Sequence, residues 1–194
     1  MEKVVKRFGK VINVSMLSLI VDILIGALLL FLSDEFAFNS NFVVVGVLML
    51  VKGLASLIRY VYDGLGNKFF LFDLFTGIIG VILGLFTCLS PFIKDLTLEY
   101  SNLGLLFGIY MISYALSKLY YAFIFKKMNE DIYPLVFMTG LLFFIIGLIC
   151  IFNPLHSFVA YLIGVLIIAY GVLELNYYML LRKKAKNIIK YFDK

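Results

Sequence analysis

The chain has 194 residues, of which 63% are hydrophobic and only 15% charged, an apolar excess beyond what a water-soluble domain of this size needs for its core. That balance excludes a soluble globular domain and reads as an integral membrane protein. The net charge of +5 follows from where lysine and arginine gather relative to the membrane, so no nucleic-acid partner is expected.

A hydrocarbon core of roughly 30 Å needs about 20 apolar residues per helix. Lys3, Lys6, Arg7 and Lys10 precede the first apolar run, which lacks a small-residue cleavage site and carries Asp22 in its middle. It reads as an uncleaved first span near 11–33. The second span, near 41–62, contains Lys52 and Arg59, and those near 69–90 and 99–125 contain Asp73 and Lys118. The 42 residues from Ile132 to Leu173 carry no charge and are too long for one span. Asn153, Pro154, Leu155 and His156 are the only turn-like cluster that can divide them, which predicts spans near 133–152 and 156–181, the last with Glu174. The runs are continuous where barrel strands would alternate at period two, so a β-barrel is excluded.

Lysine and arginine orient the spans. They crowd the N-terminal segment, the tail from Arg182 to Lys194, and the second and fourth connections through Lys68, Lys126 and Lys127. Both termini are therefore expected in the cytoplasm, with Asp34, Glu35, Asp95 and Glu99 on the outer side.

One motif is written twice: Gly-Leu-Phe-Thr-Cys-Leu-Ser-Pro from Gly84 to Pro91, and Gly-Leu-Ile-Cys-Ile-Phe-Asn-Pro from Gly147 to Pro154. In register, each copy ends one helix, turns, and leads to a helix opening with glycine, so that Gly104 matches Gly164 and Tyr110 matches Tyr170. The first third fits more loosely, with Gly26 for Gly84, Ser33 for the proline, and Gly46 and Gly53 where Gly164 and Gly171 stand. The expected fold is an all-α integral membrane protein. It is one membrane domain over 1–194 with six transmembrane helices, built as three parallel two-helix hairpin repeats at about 11–63, 69–127 and 133–184, followed by a basic cytoplasmic tail, 182–194.

Small residues let lipid-embedded helices approach closely. Gly80 with Gly84, Gly104 with Gly108, and Ala160 with Gly164 are such pairs, and Gly147 and Gly171 join them as expected packing positions. Ionisable residues inside a membrane are candidates for function by default. Asp22 and Lys52 share a depth near the midplane, while Arg59 with Asp73, and Lys118 with Glu174, lie closer to the cytoplasmic side. Each set offers a cation and a carboxylate, either as a structural ion pair fixing helix register or as part of a polar pathway for protons or a small solute.

His156 follows the outer turn, and Cys88 and Cys150 occupy near-equivalent positions as buried thiols. Tyr60, Tyr62, Tyr120, Tyr121, Tyr177 and Tyr178 cluster toward the cytoplasmic helix ends and read as an anchoring belt at the membrane surface. Cationic Arg182, Lys183, Lys184, Lys186 and Lys190 alternate with Ile188, Ile189, Tyr191 and Phe192, a pattern for an interfacial helix on anionic lipid. There is no phosphate loop, dinucleotide fingerprint, zinc-binding histidine pair or nucleophile triad. Catalytic, cofactor-binding and metal-ligating residues are accordingly expected to be none, and the partners are membrane lipids, a second copy, or a larger membrane complex to which the chain is accessory.

The doubled glycine-to-proline motif, the glycine-opened second helix and the hairpin repeated to six spans resemble the bacterial short-repeat membrane family of the HdeD (acid-resistance membrane protein) type. The resemblance covers about Val14 to Leu181. The first unit departs from the family pattern through Ser33, Asp22, Lys52 and Arg59. Membership implies an inner-membrane protein that helps cells survive low pH, and it brings no catalytic residues. The expected function is a non-enzymatic, stress-related membrane protein; a small transporter or channel using the intramembrane charges is the alternative.

Overall fold

The computed structural model describes residues 2–31, 38–62, 68–93, 100–152 and 159–192; several side chains of α1 and those at the starts of α2, α4 and α6 lie outside that description. Six α-helices account for nearly all of it: α1 (Glu2–Phe31), α2 (Phe38–Tyr62), α3 (Leu71–Leu89), α4 (Tyr100–Lys127), α5 (Tyr133–Phe152) and α6 (Val159–Phe192). There is no strand among the described residues. Five helices, α2 to α6, are long and apolar enough to cross a membrane. In lipid the backbone must satisfy its own hydrogen bonds, which is why such runs fold as helices.

The chain's punctuation is local. Pro91 lies in a single 3-10 turn, Ser90–Phe92, that closes α3, where Ser90 Oγ donates to Thr87 O at 2.8 Å. The end of α4 is a Schellman cap: Glu130 N–H donates to Phe125 O and Asn129 N–H to Lys126 O, both at 3.1 Å. Asn129 takes the left-handed conformation that this cap requires, at φ 53°.

The tightest packing joins α2 to α3, α4 to α5 and α6 to α1. Within the proposed hairpins, α1 on α2 and α3 on α4 pack less closely, and α5 on α6 less closely still among the described residues. Glycine sets this pattern. A Cβ on Gly53 of α2 would lie 2.6 Å from the backbone nitrogen of Val81 and 2.9 Å from the carbonyl of Gly77 on α3. One on Gly147 of α5 would lie 2.9 Å from the carbonyl of Gly108 on α4. Gly80, Gly84, Gly104 and Gly171 make comparable approaches to α2, α2, α5 and α1, and Gly164 is buried. Glycine contacts thus wedge α2 against α3, α4 against α5 and α6 against α1.

Helices α2, α4 and α6 occupy the interior. Within their spans 56%, 56% and 44% of residues are buried, against 33% for both α3 and α5. Large side chains rather than glycines hold the three inner helices apart.

At the end of the bundle that carries both termini, Phe8, Phe69, Phe70, Tyr121, Phe125, Tyr177 and Phe192 form a continuous stack of rings with neighbouring centroids 4.8–6.4 Å apart. This aromatic layer changes the reading of the tail. Helix α6 runs unbroken for 34 residues, about 51 Å, past a hydrocarbon core of roughly 30 Å. Its extension buries Leu181, Ala185, Ile188 and Ile189 against the protein. The apolar face expected to lie on lipid is covered by the bundle itself, while Arg182, Lys183, Lys186 and Lys190 stay exposed.

Candidate functional site: a buried ionic cluster

Three inner helices bring polar side chains to one axis because those residues recur three and four apart, on one helical face. On α2 they are Lys52, Ser56 and Arg59; on α4, Tyr110, Tyr114, Ser117, Lys118 and Tyr121; on α6, Tyr170, Glu174, Tyr177 and Tyr178, all buried. Counting from the first glycine of each helix (Gly46, Gly104, Gly164), six residues on stand Lys52, Tyr110 and Tyr170, and ten residues on stand Ser56, Tyr114 and Glu174. The repeat supplies equivalent places, and divergence has filled them with complementary chemistry.

Arg59 and Asp73 are brought together. Arg59 Nε donates to Asp73 Oδ2 at 2.6 Å and Nη2 to Ser56 Oγ at 2.7 Å, with a longer contact of Nη1 to Ser15 Oγ at 3.4 Å. Ser117 Oγ donates to the other carboxylate oxygen, Asp73 Oδ1, at 3.1 Å. Helices α1, α2, α3 and α4 thereby meet at one pair. Asp73 sits in the first turn of α3, where the positive end of the helix dipole favours a carboxylate.

Lys118 and Glu174 are also brought together, across α4 and α6. Lys118 Nζ lies 2.7 Å from Glu174 Oε1 and 2.9 Å from Oε2. Of the two, the Oε2 contact has hydrogen-bond alignment, and Oε1 is charge-paired without an aligned donor among the described residues. The ammonium is caged by aromatic rings: Tyr177 at 3.6 Å to the centroid, then Tyr114, Tyr178 and Tyr121 at 5.2–5.6 Å. The hydroxyls of Tyr121 and Tyr177 are buried with no hydrogen-bond partner among the described residues.

Lys52 is buried with its Nζ 4.6 Å from the centroid of the Tyr170 ring. Asp22 belongs to α1, but its side chain lies outside the described residues, so the Asp22–Lys52 pairing stays an expectation. Beside Lys52, a void of about 10 Å³ is lined by Leu48, Phe107, Tyr110, Met111, Ile167 and Tyr170. Room for one water is its upper limit.

Several expected roles change. Tyr121, Tyr177 and Tyr178 are buried around the ion pairs and the aromatic layer, so they are not membrane-surface anchors; Tyr62 alone of the six is well exposed, and Tyr60 and Tyr120 are half-buried. The missed participants, Ser15, Ser56, Ser117 and Tyr114, follow the spacing of the charges on their helices, and that shared face was the available signal. Cys88 and Cys150 are free thiols set against the opening glycines of α2 and α4. His156, Asp34, Glu35, Asp95 and Glu99 lie outside the described residues. No group of three or more metal-ligating side chains occurs among the described residues. On the α4–α5 connection, Glu130 accepts from Asn187 at 2.9 Å and pairs with Lys184 at 2.5 Å, pinning the α6 extension. The Lys184 hydrogen bond, with that of Asn187, holds the Glu130 carboxyl below its ordinary pKa against the opposing effect of burial.

The profile of a family described as "Short repeat of unknown function (DUF308)" matches residues 17–89, 100–152 and 138–191. The second match covers α4 and α5, one of the glycine-packed pairs, and the third covers α5 and α6. No curated protein and no solved structure matches the chain. Since the three matches together cover well over half of the sequence, the chain belongs to the DUF308 short-repeat family of membrane proteins, which includes those of the HdeD type.

Proposed function

We propose that the protein is a non-enzymatic, multi-pass protein of the bacterial cytoplasmic membrane, with both termini cytoplasmic and three parallel hairpin units, serving a structural, stress-protective role of the HdeD kind. The observation that carries this reading is a filled interior. Arg59 is matched by Asp73 and Lys118 by Glu174, one cation to one carboxylate, and the void on the axis is about 10 Å³. Charges satisfied in this way fix helix register; a conduit needs groups that exchange partners with a moving solute.

The acid-stress element rests on the family resemblance and on Asp34, Glu35, Asp95 and Glu99, which become neutral below about pH 4. A deletion strain is expected to survive acid challenge poorly, to be restored by the natural chain, and to be restored less by a variant with those four carboxylates amidated. Equal restoration by both chains defeats the acid-sensing element, and unchanged survival of the deletion strain defeats the stress role.

A small transporter or channel is the second reading. It is favoured by Tyr121 Oη, Tyr177 Oη and Glu174 Oε1, three buried oxygens without an aligned partner among the described residues, beside a lysine. Proton or solute flux in liposomes that is abolished by Lys118→Met would establish it over the first. The exposed cations of the tail suit anionic lipid, and association with a second copy or a larger membrane complex belongs to the same proposal.

A further inference from the structure

The helix pairs α1–α2, α3–α4 and α5–α6 differ in how closely they pack among the described residues. Helix α1 packs on α2 and α3 on α4, but α5 and α6 leave between them a crevice of about 710 Å³, lined by Leu135, Met138, Leu142, Ile145 and Ile146 of α5 and by Leu173 of α6. That volume is in the ordinary range for a ligand site. Its polar lining is limited to Thr139, whose hydroxyl is used on Leu135 O at 2.7 Å.

Two observations choose the occupant. The glycines of α5 face α4, where Gly140 meets Leu119 and Gly147 meets Ile112. The crevice is instead walled by bulky aliphatic side chains, with no glycine among its lining residues to admit the close approach of another helix, and so suits a thin acyl chain. From Pro134 to Ile146 the lined stretch rises about 18 Å, somewhat more than one leaflet of a roughly 30 Å hydrocarbon core. The second observation is charge. At the Pro134 end, the exposed Lys126 holds its ammonium 5.6 Å from the centroid of the Tyr133 ring, and Lys127 is exposed beside it. We infer that this crevice binds one acyl chain of an anionic phospholipid, whose phosphate rests at Lys126 and Lys127.

Native mass spectrometry of the full chain, titrated with phosphatidylglycerol or phosphatidylcholine of the same acyl chains, tests this. One phosphatidylglycerol is expected per chain, with phosphatidylcholine retained at least tenfold less. Filling the crevice with Met138→Trp and Ile145→Trp should lower phosphatidylglycerol retention tenfold or more, whereas Ile82→Trp on the exposed face of α3 should not. Lys126→Gln with Lys127→Gln should erase the headgroup preference. Should the filled variant misfold, Leu142→Trp supplies an independent reading, because the natural chain contains no tryptophan. In phosphatidylcholine vesicles, brominated phosphatidylglycerol at low mole fraction should quench it more than brominated phosphatidylcholine, with equal quenching at Ile82→Trp. Undiminished retention in the filled variant, equal quenching by both lipids at Leu142→Trp, or a dimer that dissociates when the crevice is filled would overturn the inference.

Discussion

The two buried ion pairs solve one problem in different ways. Arg59 and Asp73 cross the glycine-wedged α2–α3 interface, and Ser56 on the helix of Arg59 and Ser117 on α4 add hydrogen bonds to the two charges. Lys118 and Glu174 join two inner helices held apart by bulky side chains, and there an aromatic cage replaces the hydrogen-bonding shell. The first arrangement is the more rigid and the more dependent on its exact set of partners, and the second tolerates change.

The largest test removes one member of the hydrogen-bonded pair. Arg59→Met strands the Asp73 carboxylate in a dry site and should lower unfolding stability in detergent by about 3–5 kcal/mol, with most of that recovered in the Arg59→Met, Asp73→Leu double variant. In the caged pair, Glu174→Gln leaves Lys118 with an amide oxygen and its rings. The expected loss in the same denaturation is smaller, about 1.5–3 kcal/mol. Equal losses at the two sites would erase the distinction drawn between them.

Glycine packing sharpens the comparison. Gly53→Ala forces a Cβ against backbone atoms of α3 that cannot turn aside, and overpacking of this kind costs about 1–3 kcal/mol. It should also weaken the Arg59–Asp73 coupling in a double-mutant cycle while leaving the Lys118–Glu174 coupling unchanged. Gly9→Ala, which meets nothing within 4 Å, serves as the control and should be neutral or mildly stabilising.

The smallest effect concerns the α6 extension, which Glu130 pins through Lys184 and Asn187. Because partners depress the pKa of Glu130, its contribution is present above the ordinary carboxylate value, about 4.3, and is lost as pH falls through the lower folded value. The stability difference between the natural chain and Glu130→Gln should therefore shrink on acidification from about pH 5 to pH 3. A difference that grows in that interval would show that Glu130 does not hold α6 through its charge.

Helical class, approximate span positions and the intramembrane charges were legible in the sequence, because each depends on local hydropathy and on single residue types. Matching Arg59 with Asp73, and Lys118 with Glu174, required only depth along successive spans. What could not be read was rotation about each helix axis. Tyr121 and Tyr177 sit at helix ends where lipid anchors belong, yet the same positions face inward once α4 and α6 are rotated to present Lys118 and Glu174. The tail misled for a similar reason: Ile188 and Ile189 need an apolar surface, and sequence does not distinguish lipid from the bundle that covers them.

By itself the sequence determined a repeated set of membrane helices, with small residues marking close approach and charges marking the interior, since lipid imposes those requirements on each segment independently. Only the tertiary structure decided which helices approach. Glycines bring α2 against α3, α4 against α5 and α6 against α1, and that choice depends on the shapes of two surfaces at once. It places α2, α4 and α6 in the interior, pairs Arg59 with Asp73 and Lys118 with Glu174, and leaves a crevice between α5 and α6 among the described residues.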